Sequence, residues 1–313
     1  MKRAPSKFIS LRFRQLNWLA SFLIISVILV AFYSIWENKS VCQRQTVCIW
    51  FFDVGQGDST YIRTPSGADI LIDAGPDLLT LHRLGRRMPW YDRRLELLVL
   101  THPDSDHITA AVEILRRYEV LHILLPNVAN DTPVFHAIHQ EIEQQHSDVH
   151  FAAVGESLQL DKVRIDVLHP SFAEYPNNAS MPLDARLQPP TNDLSVVMLL
   201  TYGANRFLFT GDATRKLEET MLRRGLVTQV QFLKVAHHGS RTSTHWEFLE
   251  QVRPEIAVIS VGQENRFGHP HREVLERLQN IGATILRTDI YGTIHAECDL
   301  QQCRWSFEKH DAL

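Results

Sequence analysis

The chain contains no internal repeat and no low-complexity linker in its 313 residues, so it is not read as a solenoid or as domains strung on flexible spacers. Excess charge is scarce: the formal net charge is −4, which excludes a globally basic, histone-like binder of nucleic acid while leaving room for a local basic patch. Cysteine is sparse too. None of the four cysteines forms a Cys-x-x-Cys pair, so a zinc knuckle is excluded. What is abundant is apolar material: a hydrophobic fraction of 44% supports a sizeable core in one large domain or two smaller ones.

One uncharged, almost wholly apolar run extends from Trp18 to Trp36. As a helix it would span roughly 28 Å, close to the hydrocarbon thickness of a bilayer. Trp18, Tyr33 and Trp36 lie near its ends, where amphipathic aromatics favour the membrane interface. Lys2, Arg3, Lys7, Arg12 and Arg14 precede it, against Lys39 and Arg44 soon after. The positive-inside rule therefore places the N-terminus in the cytoplasm and the rest outside it. A cleaved signal peptide is the alternative, but it calls for a shorter apolar core and an A-x-A-like site, which are not seen. The expected layout is a basic cytoplasmic segment at 1–17, a single-pass cell-membrane anchor at 18–36 and a catalytic domain at 45–310, periplasmic or on the cell surface. Disulfides suit that compartment. Cys42, Cys48, Cys298 and Cys303 allow three connectivities. Local pairs are favoured, with Cys298 facing Cys303 across a hairpin, and free buried thiols are the alternative.

The densest chemistry is Thr101-His102-Pro103-Asp104-Ser105-Asp106-His107. The apolar run Leu95–Leu100 before it reads as a buried strand. Ile108, Ala111, Val112 and Leu115 after it recur at helical spacing, so one helix is predicted from about Asp106. His102 and Asp104 can turn toward one metal, and Asp106 and His107, past the bend, can serve another. Imidazole with carboxylate suits zinc or manganese. Further candidates end apolar strands: Asp73 after Ile70-Leu71-Ile72, His169 after Ile165–Leu168, Asp212 after Phe207–Gly211, and His237-His238-Gly239 after Phe232–Ala236. Alternating strands and helices predict two sheets packed face to face, with helices outside, in two halves. The polar, Pro-rich stretch from Ser171 to Thr191 is either disordered or a flap over a site.

Together these residues resemble the metallo-β-lactamase fold superfamily and, within it, the C-terminal nuclease-like domain of the ComEC/Rec2 DNA-uptake proteins. The matching segments are FFDVGQGDST, ILIDAG, LTHPDSDHITA, VLHP, NDLSVVMLL, FLFTGDA, LKVAHHGS, and FGHPHREVLERL with RTDIYGTI. The resemblance implies an αββα sandwich and a hydrolase with two divalent ions, Zn²⁺ or Mn²⁺. One ion would take His102, Asp104 and His169; the other would take Asp106, His107 and His238; Asp212 would bridge them, and Asp73 would orient a ligand histidine. His238 is preferred to His237 because the family ligand abuts the glycine. Asp104 stands where the superfamily usually has a second histidine, as in its ComEC-like and phosphorylcholine-esterase-like branches, which argues against β-lactam hydrolysis. The family's multi-span channel region and OB-like domain are not visible here, so the expectation is a nuclease-like part hung from one helix, with a separate DNA-uptake channel as partner.

Such a site suits an anionic phosphodiester. Asp106 and Asp212 would act through the metals, and His269 or His271, with His237 as another candidate, would give a proton to the leaving oxygen. A basic segment between Asp73 and the main motif, with Arg86, Arg87, Arg93 and Arg94 around Trp90, is read as the holder of single-stranded DNA; a solvated loop is its alternative. The leading expectation is an extracytoplasmic phosphodiesterase or nuclease. The others are a hydrolase of a small or envelope phosphoester, phosphorylcholine-esterase-like, and a non-catalytic DNA-uptake partner.

Overall fold

A computed structural model describes residues 18, 21–30, 42–43, 45–128, 130–170 and 191–308. The chain divides into two units, Met1–Val41 and Cys42–Leu313. In the first, residues 21–30 are helical (α1). The remainder of the expected 18–36 anchor, apart from Trp18, lies outside the described residues, and among those described no helix is long and apolar enough to cross a membrane. The 171–190 stretch also lies outside them.

The second unit is a two-sheet sandwich. The first sheet begins with the antiparallel strands β1 (Val47–Phe51), β2 (Thr60–Arg63) and β3 (Asp69–Ile72). It continues in parallel through β4 (Arg94–Val99), β5 (Glu119–Leu125) and β6 (Asp148–Phe151). The second joins β7 (Ser157–Leu160), β8 (Val163–His169), β9 (Val197–Tyr202) and β10 (Asn205–Phe209) in antiparallel fashion. It then runs parallel through β11 (Phe232–Lys234), β12 (Ile256–Ile259) and β13 (Thr284–Arg287). The chain returns to the first sheet with β14 (Thr293–Cys298) and β15 (Cys303–Glu308), giving, among the described residues, eight strands in one sheet and seven in the other.

Strand side chains alternate between faces, and here both faces are buried. Ile49 and Phe51 of β1 point into the core between the sheets, where they meet Met198, Leu200, Phe207 and Phe209. Trp50 and Phe52 point the other way, under the helices α2 (Leu79–Gly85), α4 (Ala111–Arg117) and α5 (Pro133–Gln145). The outer face of the second sheet is covered by α6 (Arg215–Arg223), α7 (Trp246–Val252) and α8 (Arg272–Asn280). This is the expected αββα layering. Two local disulfides, Cys42–Cys48 and Cys298–Cys303, use all the cysteines, and the second closes the β14–β15 hairpin.

One element departs from its predicted form. The helix expected to run on from Asp106 is broken into α3 (Ser105–Ile108) and α4. The His107 carbonyl accepts from the N–H groups of Ala74 and Gly75, at 2.6 and 3.1 Å, while Ala110 N–H donates to Gly75 O at 3.3 Å. Bonds that would have continued the helix instead tie the metal-type motif to the turn after β3. Periodicity does not register such a diversion, because the apolar residues keep their spacing on both sides of the break.

Candidate metal centre

The candidate residues converge at the carboxyl ends of strands from both sheets. Asp73 leaves β3 in the left-handed region (φ 58°), a conformation an aspartate tolerates better than most residues. Its Oδ1 accepts from Thr101 N–H at 2.8 Å, and its Oδ2 accepts from Thr101 Oγ1 and from His107 Nδ1, each at 2.8 Å. Having given its proton to Asp73, the Thr101 hydroxyl is left to accept from His102 Nδ1 at 3.0 Å. One carboxylate thus fixes both histidines of the motif with Nδ1 protonated and Nε2 turned to the site.

The second sheet repeats the device with different partners. His169, at the end of β8, donates from Nδ1 to Ser195 O at 2.9 Å, and Ser195 Oγ accepts from Asp212 N–H at 3.1 Å. His238 donates from Nδ1 to Ser260 O at 3.0 Å, with Asp58 Oδ1 3.3 Å away. Asp58 is in turn held by Lys234 Nζ at 2.6 Å, both side chains being buried. His237 and His238 both take positive φ, 50° and 52°, a strained backbone for non-glycine residues that is typical of functional turns. Gly239 completes this turn: a Cβ there would lie 2.5 Å from Pro270 Cβ, so only glycine lets the 268–271 segment pack against it.

Asp212, 2% exposed, sits at the centre. Its carboxylate oxygens lie 3.3 Å from His107 Nε2, 3.8 Å from His102 Nε2, 3.8 Å from His238 Nε2 and 3.7 Å from His237 Nε2. Asp106 Oδ2 is 3.2 Å from His238 Nε2, and Asp104 Oδ2 is 3.7 Å from His102 Nε2. Among the described residues, three triads suited to a metal ion share His107: His102 and Asp212 complete one, Asp106 and His238 another, and Asp58 and Asp73 the third. The second brings together three residues expected on one ion, and the first joins His102 to the expected bridge. The buried Nε2 of His102 has no hydrogen-bond partner, and His107 Nε2 and Asp212 Oδ1 face each other at 3.3 Å without well-aligned hydrogen-bond geometry. A buried polar atom left unpaired costs about 1–3 kcal/mol. Nitrogen and oxygen donors converging on one point therefore fit a divalent cation.

The electrostatics agree with that fit. Burial works against the charged forms of His107 and His238, yet the surrounding carboxylates outweigh it. Asp212 and Asp73 hold His107 well above its ordinary value, and Asp212 and Asp58 raise His238 to about 10. Asp212 is held well below the carboxylate range against its own burial, chiefly by His107 and His238. Without metal, two imidazolium charges stand in for the cations that would balance this acidic cluster.

Of the other expected site residues, His169 and Asp104 belong to none of the three triads. His237 lies against Asp212, but its Nδ1 accepts from Asn192 Nδ2 at 3.4 Å and its ring is the more exposed of the pair, which favours His238 as a donor to metal. His269 is lowered to about 4 by burial and by the nearby charges of His238, His237 and His271, so its ring is neutral near pH 7 in the metal-free protein. The arginine segment is not brought to the cluster. Arg94 opens β4 and Arg93 precedes it, over Tyr118, whereas His102 follows the far end of that strand, roughly 20 Å away at about 3.3 Å per residue. Arg87 is paired with Glu308 and lies over Trp50. Arg86 caps α2, and Trp90 is 67% exposed. Conversely, the sequence reading missed Asp58 and Lys234. A lysine in the buried strand Phe232–Ala236 was the available signal, since a buried ammonium needs a counter-charge.

Two outcomes are expected. Because His107 and His238 carry protons in the metal-free protein near neutral pH, metal binding should release about two protons and weaken as pH falls. Calorimetry at pH 7.5 in buffers of different ionisation enthalpy measures this, and an enthalpy independent of buffer would contradict it. The raised His238 also stabilises the metal-free fold fully below about 6.5, and that contribution is lost as pH rises through about 10. Separately, Asp73→Asn and Asp58→Asn should each lower metal affinity roughly 10- to 100-fold by releasing a ligand histidine. Competition with a chromogenic chelator gives the number, and wild-type affinity in both variants would remove their orienting role.

Residues 52–263 match the family model described as the metallo-beta-lactamase superfamily. The chain is 30% identical over 264 residues to ComE operon protein 3 of Bacillus subtilis, covering 77% of this chain and 32% of that protein. It is also 30% identical over 265 residues to Recombination protein 2 of Haemophilus influenzae, covering 82% and 30%. It thus spans about a third of the length of the curated relatives it matches. Among solved structures, the metallo-beta-lactamase fold protein YhfI of Bacillus subtilis superposes with a TM-score of 0.54 at 12% identity, over 81% of this chain and 100% of that one; at that identity the likeness concerns the fold alone. The sandwich and the donor cluster at its strand ends agree with the family match, and the chain belongs to the metallo-beta-lactamase superfamily.

Proposed function

We propose that this protein is a metal-dependent phosphodiesterase that acts on DNA outside the cytoplasmic membrane, anchored by the 18–36 segment with its N-terminus inside. The observation that carries the reading is the set of buried donors around Asp212. Two divalent ions held there would neutralise an anionic substrate and bring a water's pKa toward neutrality. His102, His107, Asp106, His238 and Asp212 would hold them, with Asp104 and His169 as further donors. Asp73 and Asp58 keep the ring nitrogens aimed, so loading calls for loss of protons rather than for movement of the rings. His237, beside Asp212 and half-exposed, is placed to pass a proton to a leaving oxygen. DNA is favoured by the likeness to a recombination protein, and a DNA-uptake channel is the proposed partner. Zn²⁺ or Mn²⁺ is the proposed metal pair.

A hydrolase of a small or envelope phosphoester is the second reading. The separation of Arg93 and Arg94 from the cluster favours it, because those cations no longer argue for a polymer at the site.

The purified full chain, supplied with Zn²⁺ or Mn²⁺, should bind about two ions and hydrolyse bis(p-nitrophenyl) phosphate and single-stranded DNA. Asp212→Ala should bind fewer ions and lose both activities. Cleavage of phosphorylcholine esters without DNA would replace the first reading by the second, and a chain that binds no metal would end both. For the anchor, alkaline phosphatase fused after Leu313 should be active, and protease added to spheroplasts should digest the domain. Protection in intact spheroplasts would overturn that topology.

A further inference from the structure

The loop between β12 and α8 carries an aromatic series that leads from solvent to the donor cluster. Phe267 is 49% exposed. The Arg266 guanidinium lies 5.0 Å from its ring centroid. The Phe267 ring stacks on His269, with centroids 5.6 Å apart and planes at 22°. His269 stacks in turn on His238, at 6.2 Å and 27°. The series is not a chance pose of a floppy loop. Asn265 donates from Nδ2 to Gly262 O at 2.9 Å and to His269 O at 2.7 Å, and its Oδ1 accepts from His269 N–H at 2.9 Å. His271 N–H donates to Gly239 O at 2.9 Å, which joins the loop to the turn bearing His238. A large aromatic ring left half in water on a loop so firmly held gives nothing to the core, and its neighbours are cationic or aromatic.

We infer that this loop is a stacking subsite in which Phe267 receives the unpaired base beside the scissile phosphate of single-stranded DNA, and Arg266 neutralises the adjoining phosphate. The inference rests on the phosphodiesterase reading and adds to it a substrate class and a side of approach. A ring with a guanidinium beside it is the pairing that single-strand binders use, stacking for the base and a cation for the backbone. The same guanidinium repels a quaternary ammonium, so the loop does not suit a phosphorylcholine headgroup. Duplex DNA offers no free base face to Phe267. The His269 ring serves as the spacer that sets Phe267 one ring outward from His238.

Binding and cleavage separate the two ideas. Fluorescence anisotropy with the full chain, in EDTA so that the probe stays intact, compares a labelled oligothymidylate with an abasic oligonucleotide of equal length. Wild type should prefer the oligothymidylate. Phe267→Ala should lose roughly 5- to 100-fold of that affinity, the equivalent of one base–aromatic stack, with no change toward the abasic strand, and Phe267→Tyr should restore it. Equal binding of both strands by wild type, no binding of either, or wild-type affinity in Phe267→Ala would overturn the subsite. A protein that binds oligothymidylate through Phe267 but hydrolyses no phosphodiester when supplied with metal would overturn the hydrolase reading alone.

Discussion

Asp73 is the constraint on which the rest of the site depends. Its carboxylate accepts three hydrogen bonds, and they reach both histidines of the central motif, one directly and one through the Thr101 hydroxyl. Each ring nitrogen that donates in this network is unavailable to a metal, so the other must face inward. The same turn diverts the His107 carbonyl from its helix, and that diversion separates α3 from α4. Local helix continuity is given up to hold a histidine. This is the exchange expected where a rigid site is built at the end of a strand.

For His238 the Ser260 carbonyl accepts from Nδ1 at 3.0 Å, and Asp58 adds a charge 3.3 Å away, under a heavier electrostatic load. A buried carboxylate beside a buried ammonium costs desolvation on both groups, and only close pairing offsets it. Lys234 meets Asp58 at 2.6 Å, which leaves the second carboxylate oxygen turned toward His238. The two orienting carboxylates come from opposite ends of the first hairpin's sequence, Asp58 before β2 and Asp73 after β3. A short antiparallel pair therefore positions one histidine from each sheet. Gly57 makes this possible: a Cβ there would lie 2.4 Å from Asp106 O, so only a glycine lets the turn bearing Asp58 close on α3.

Much of this was legible in the sequence, for a definite reason. Donors that end apolar strands are forced to one edge of a sheet, and His102, Asp73, Asp212 and His238 all follow such runs. The layers were legible from alternation and from strand–helix order, and the hairpin cysteines Cys298 and Cys303 from their spacing. What could not be read was tertiary. Asp58 and Lys234 look like a turn residue and a strand interruption until the two sheets are superposed. The break after Ile108 depends on a backbone bond to Gly75, and the lowered proton affinity of His269 depends on its burial and on His238 and His237, which are distant in sequence.

The arginine segment shows how sequence proximity misleads in a parallel sheet. Residues just before a strand and residues just after it are close in number yet lie at opposite ends of the strand. Arg93 precedes β4 and Arg94 opens it, so they are carried away from the cluster that His102 begins. The loop after β12 is more than a hundred residues from His102, yet it follows a parallel strand and so arrives at the same edge. Cations useful to a substrate at this site must therefore be sought after strands, not before them, and Arg266 satisfies that condition. The charge that matters for recognition is sorted by strand direction before any side-chain contact is made.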